Sequence, residues 1–93
     1  MTERKVQILM GSDSDAPTMQ RTVDLLKEFG ISYHITVASA HRSPARVETL
    51  IEDATANGVK VFVVGAGAAA HLAGVVAAHS TLPVIGVPID SSP

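Results

Sequence analysis

The stretch SAHRSP, residues 39–44, sets a titratable imidazole, His41, directly beside a permanent cation, Arg42, between Ser39 and Ser43. A guanidinium next to an imidazole disfavours the imidazolium, so the ring is held neutral and ready to exchange a proton near pH 7. The same guanidinium is a bidentate clamp for phosphate or carboxylate. A proton carrier beside an anion clamp suits chemistry on a small phosphorylated or carboxylated molecule.

Two further stretches carry the same kind of residue. GSDSD, residues 11–15, is a glycine-started turn before a helix-like run. Its serine hydroxyls and the helix N-terminus could hold a phosphate, although a helix cap and a turn are the simpler reading. Asp13 and Asp15 would repel phosphate and better accept hydrogen bonds from sugar hydroxyls. The motif is neither G-x-G-x-x-G nor a Walker sequence, so it implies no dinucleotide or triphosphate. GAGAAAH, residues 65–71, supplies small residues where backbone can approach a planar ligand, or simply pack a helix closely on a sheet. Among the histidines, His34 lies in a strand pattern and His79 at a helix end, which fits structural or surface roles. His41 and His71 fall in turns. No H-x-x-x-H or H-E-x-x-H spacing points to a metal, and no G-x-S-x-G elbow points to a serine hydrolase.

The elements that must position these turns are regular. VQILM (6–10), YHITVAS (33–39), VKVFVVG (59–65) and PVIGVPI (83–89) read as strands. Three of them are nearly continuous in apolar residues, as in strands covered on both faces of a parallel sheet. Between them, Met19, Val23, Leu26 and Phe29 mark one helix, with Ser14 or Asp15 as N-cap and Gly30 as its stop. Val47, Leu50, Ile51 and Ala54 mark a second, with Ser43 as N-cap, Pro44 in the first position and Gly58 at the end. A third, from about Ala69 to His79, is small and apolar nearly all round and is expected to be packed on every side.

This succession predicts right-handed βαβ units and a doubly wound, flavodoxin-like three-layer α/β/α fold with a parallel sheet of four strands. All three stretches then follow strands and lie at the carboxyl ends of the sheet, where such folds bind ligands. The opposite turns, NGVK and HSTLP, are ordinary. The fourth strand is expected to form an uncovered edge, and the ending from Asp90 to Pro93 reads as a C-terminal truncation of a longer domain.

Composition sets the remaining bounds. The 93 residues form one domain, 46% hydrophobic and 17% charged, with net charge -2. That balance gives no electrostatic reason for nucleic acid or an anionic membrane as partner. No cysteine is present, so disulfides and thiolate metal sites are excluded, and no apolar run reaches membrane-spanning length. A soluble, cytoplasmic protein is expected.

With MGSDSD (10–15), SAHRSP (39–44) and GAGAAAHLAGVVAAHSTLPVIGVPI (65–89, continuing to Pro93) in this order, the chain resembles the PurE family of purine biosynthesis. These are the N5-carboxyaminoimidazole ribonucleotide mutases, or phosphoribosylaminoimidazole carboxylase catalytic subunits. Two departures from the family pattern are Ala68 for a glycine and Ala73 for a proline. The resemblance covers the whole chain and implies an isomerase that moves a carboxylate from an exocyclic nitrogen to a ring carbon, with no metal and no organic cofactor. It implies His41 as general acid/base, with Ser12, Asp15 and Arg42 as nucleotide-binding residues. Ser14, Ser39, Ala40, Gly67 and His71 complete the expected substrate contacts. The implied partners are a phosphoribosyl aminoimidazole, CO2 and further copies of the chain in an octamer. The alternatives are a carboxylase using free CO2 and a non-catalytic nucleotide-binding or assembly fragment.

Overall fold

The computed structural model describes residues 4–38, 44–67 and 71–89. Strand β1 (Val6–Met10) is buried at every position, as its unbroken apolar run requires of a strand with neighbours on both edges and both faces. It is followed by a short 3-10 turn, Asp13–Asp15, and helix α1 (Ala16–Glu28). Then come β2 (Tyr33–Val37), α2 (Pro44–Ala56), β3 (Val61–Ala66), α3 (His71–His79) and β4 (Val84–Pro88). The strands form one parallel sheet in the order β2-β1-β3-β4.

The pleat divides the core in two. Val6, Ile8, Met10 and Val63 pack with Met19 and Val23 of α1 on one face. Leu9, Phe62 and Val64 pack with Val47, Ile51 and Ala54 of α2 and Leu72 and Val76 of α3 on the other. This is the expected three-layer α/β/α arrangement, with the helices after β1 and β3 leaving toward opposite faces.

Both long helices end as the glycines foretell. Gly30 and Gly58 have φ of 69° and 89°, a left-handed conformation that glycine takes without a Cβ penalty. After α1, Gly30 N–H donates to Lys27 O at 3.1 Å and Ile31 N–H to Leu26 O at 2.9 Å. After α2, Gly58 N–H donates to Thr55 O at 3.2 Å and Val59 N–H to Ala54 O at 3.1 Å. Each pair is a Schellman closure that satisfies the last carbonyls of its helix.

Two expectations differ from what is observed. The hydroxyl that caps the entry to α1 belongs to Ser12, whose Oγ accepts from Ser14 N–H at 3.3 Å. Asp15 occupies the N-cap position of α1 but makes no side-chain cap bond, because the 3-10 turn intervenes between strand and helix. Helix α3 buries Leu72 and Val76 while Gly74, Ala77 and Ala78 are exposed, so it is one-sided despite its composition. The last strand stands at the sheet edge as expected, and its Ile85 is 54% exposed.

Candidate substrate site

Strands β1 and β3 are neighbours, but their following helices depart to opposite faces of the sheet. Their C-terminal ends therefore diverge and leave a crevice, the switch point at which open α/β sheets hold ligands. Gly11–Asp15 follows β1 and Ala66–Gly67 closes β3, so two of the three chemistry-bearing stretches flank that crevice.

In the first stretch, Ser12 and Ser14 are exposed and their hydroxyl oxygens lie 2.9 Å apart, a preformed pair of polar groups at the mouth. Asp15 is 8% exposed; with no cap bond to α1, its carboxylate is left to accept from a ligand hydroxyl. At the second stretch, Gly65 is a point of closest approach. A Cβ there would stand 2.5 Å from Met19 Sδ and 2.9 Å from Ile89 Cδ1. The floor beneath Gly67 is thus fixed by a side chain from α1, four residues after Asp15.

His71 is the first residue of α3 and is exposed. His41, Arg42, Ser39, Ala40 and Ser43 lie outside the described residues, but the ends of their segment are placed. Ala38 is buried after β2 and donates its N–H to Met10 O at 2.8 Å. Pro44 opens α2. The segment 39–43 is therefore spliced in at the same carboxyl rim, beside β1. Among the described residues no three of His, Asp or Glu converge as a metal site.

The remaining histidines are elsewhere. His79 Nε2 lies 3.3 Å from Glu48 Oε1, joining α3 to α2. His34 is on exposed β2, with its pKa lowered from 6.5 by burial and by the Arg4 charge. A groove of about 440 Å³ bordered by Lys5, Ile31, Lys60 and Val61 opens at the amino ends of the strands, away from the chemistry-bearing turns.

Two polar residues escaped the sequence reading. Gln7 is 2% exposed, and its Nε2 donates to Ile8 O, His34 O and Thr36 Oγ1 at 3.0, 3.3 and 3.2 Å, which pins β2 to β1. Its signal was the one polar residue inside VQILM. Arg46 Nη1 donates to Val37 O at 2.9 Å; its signal was a cation in the first turn of a helix, where the macrodipole opposes it.

A parallel sheet in this order, with helices on both faces and small polar turns at the switch point, defines a flavodoxin-like α/β protein with a ligand crevice. The chain belongs to the AIR carboxylase family, whose model matches residues 5–93. It is 51% identical over 88 residues to the N5-carboxyaminoimidazole ribonucleotide mutase of Thermotoga maritima, covering 95% of this chain and 52% of that one. It is 48% identical over 92 residues to the phosphoribosylaminoimidazole carboxylase of Saccharomyces cerevisiae, covering 99% of this chain and 16% of that one. The crystal structure of Treponema denticola PurE superposes with a TM-score of 0.87 at 31% identity, over 96% of this chain and 57% of that one. The chain spans about half the length of the mutases it matches.

Proposed function

We propose that the chain acts in de novo purine synthesis, converting N5-carboxyaminoimidazole ribonucleotide to 4-carboxy-5-aminoimidazole ribonucleotide. The observation that carries this reading is the 51% identity to a mutase of that name across 95% of the chain. The crevice between Ser12–Asp15 and Gly67 supports it as a place for a sugar phosphate and a flat ring.

In this reaction the exocyclic N–C bond breaks, CO2 leaves, and the electron pair stays on nitrogen, which takes up a proton. The ring carbon then attacks the trapped CO2 and surrenders its own proton to the neutral imidazole of His41. Protons gained and lost balance, so ATP is not required, and one acid/base group with a pKa near neutrality suffices. Arg42 clamps the phosphate, Ser12 and Ser14 offer hydroxyls, and Asp15 accepts from the ribose. Ser39, Ala40, Gly67 and His71 line the ring and CO2. Holding CO2 for recapture needs confinement and exclusion of water as much as a proton carrier.

In this reading the working protein is cytoplasmic and octameric, with no metal or organic cofactor. The exposed small residues Gly74, Ala77 and Ala78 of α3 allow a neighbouring backbone to approach closely.

The test compares the chain with His41→Asn on the carboxyamino ribonucleotide, and on the aminoimidazole ribonucleotide supplied with CO2. Turnover on the first substrate, reduced ~100-fold or more in the variant with binding largely retained, is expected for general acid/base catalysis. Normal turnover by the variant overturns the role of His41. Turnover confined to the second substrate identifies a direct carboxylase, and ribonucleotide binding without turnover on either identifies a non-catalytic unit.

A further inference from the structure

The contact between Arg46 and Val37 joins the two ends of the segment that carries His41 and Arg42. Val37 is the last residue of β2 and Arg46 is the third of α2, so the bond from Nη1 to the carbonyl, 2.9 Å long, spans the turn at its base. Strand geometry explains why that carbonyl is available. Ala38 turns its N–H inward to Met10 O, and successive residues present their polar groups to opposite sides, so Val37 C=O points outward from an edge strand. The end of β2 is thereby held from both sides, by Met10 within the sheet and by Arg46 outside it.

The position of Arg46 argues that this contact matters. A cation in the first turn of a helix is disfavoured by the positive end of the macrodipole. No acidic residue stands in that turn of α2 to offset it. The compensating partner is the Val37 carbonyl, through a charge-assisted hydrogen bond, stronger than a neutral one. Ala38 and Val47 anchor the same two ends in one core cluster, so the base is closed by packing below and by the guanidinium above.

We propose that Arg46 is a positioning residue for the substrate site: it closes the base of the 38–45 span and so limits where His41 and Arg42 can stand relative to the crevice. The inference rests on the reading of His41 and Arg42 as the acting residues, and Arg46 itself need touch no substrate. Fewer accessible arrangements of the span mean less ordering entropy lost when ligand binds.

The decisive experiment uses isotopically labelled chain with Arg46→Met, which keeps the apolar stem but no donor, and Arg46→Lys, which keeps one donor and the charge. Backbone amide order over 38–44, the His41 imidazole resonances and the thermal midpoint are read by NMR and melting. The probe ligand is 4-carboxy-5-aminoimidazole ribonucleotide. Arg46→Met should lower order over 38–44 and shift the His41 signals, leaving His79 and the midpoint near wild type. Arg46→Lys should recover part of both. Affinity for the ribonucleotide should fall about 3- to 10-fold in Arg46→Met, the scale of one partly exposed charged hydrogen bond.

Unchanged order and His41 signals in Arg46→Met overturn the proposal. So does a uniform loss across the chain with a lower midpoint, which would make Arg46 a stabilising residue only. If the unsubstituted chain does not bind the ribonucleotide, the functional reading fails, while amide order and the His41 signals still decide the role of Arg46.

Discussion

His34 shows how one side chain on an edge strand ties the fold to pH. Burial of part of its ring, and then the Arg4 charge, hold its pKa below the ordinary 6.5. The unfolded chain takes up this proton near pH 6.5, and the folded chain only at lower pH. Between those values the unfolded state binds more protons, so stability rises with pH and falls on acidification. The urea midpoint should therefore drop from about pH 7.5 to about pH 5.5, and drop less in His34→Gln, which cannot titrate. An equal or larger drop in the variant would show that other groups control the acid limb. His34 belongs to the scaffold, as its place in a strand pattern implied; the chemistry is assigned to His41, at the opposite end of β2.

At the scale of elements, the fit of α1 on β3 turns on one missing methyl. Met19 is fully buried and fills the space that a Cβ on Gly65 would need. Gly65→Ala should cost about 1–2 kcal/mol, because the crowded atoms are ends of side chains that can rotate but lie in a filled core. Met19→Ala should cost about 2–4 kcal/mol through the cavity it leaves. The double variant should be destabilised by less than the sum, since the new methyl occupies part of that cavity. Strict additivity in urea titrations would mean that the two do not share the space.

No pattern in the sequence announces such a pairing, because it joins residues 46 positions apart. What was legible is local. The Val/Ile/Leu runs identified β1 and β3, Gly30 and Gly58 marked the helix ends, and the crowding of Gly, Ser, Asp, His and Arg into strand-to-helix turns placed the crevice at the carboxyl rim. Capping by Ser12 was not legible, since periodicity cannot reveal a 3-10 turn inserted between strand and helix. One-sided burial of α3 was not legible either, for the neighbours that cover a face are set by strand order and not by the helix's own residues. The tie from Arg46 to Val37 is tertiary in the same sense, although a cation at a helix start hinted at it.

For the whole molecule, the consequence of this strand order is an uneven sheet. On the face that carries α1, the helix covers the side nearer β1, and Val63 is paired with Ile85 at the far edge. Ile85 is 54% exposed, and Val87 and Ile89 are only half buried. An apolar edge strand with one open side is a template for association between chains. Pro88 removes one of its donors and weakens simple strand addition, so the side-chain face is the stronger source of attraction. Sedimentation should show a weight-average mass that rises with protein concentration. Ile85→Lys should shift that mass toward a single chain, because a charge at the centre of the patch must be desolvated in any apolar contact. The same change should alter the urea midpoint little, by about 1 kcal/mol or less, since the side chain contributes mostly surface and little core. A variant that associates as strongly as the parent would place the attraction elsewhere, with Leu25 and Phe29 of the α1 end, 53% and 71% exposed, the next residues to substitute.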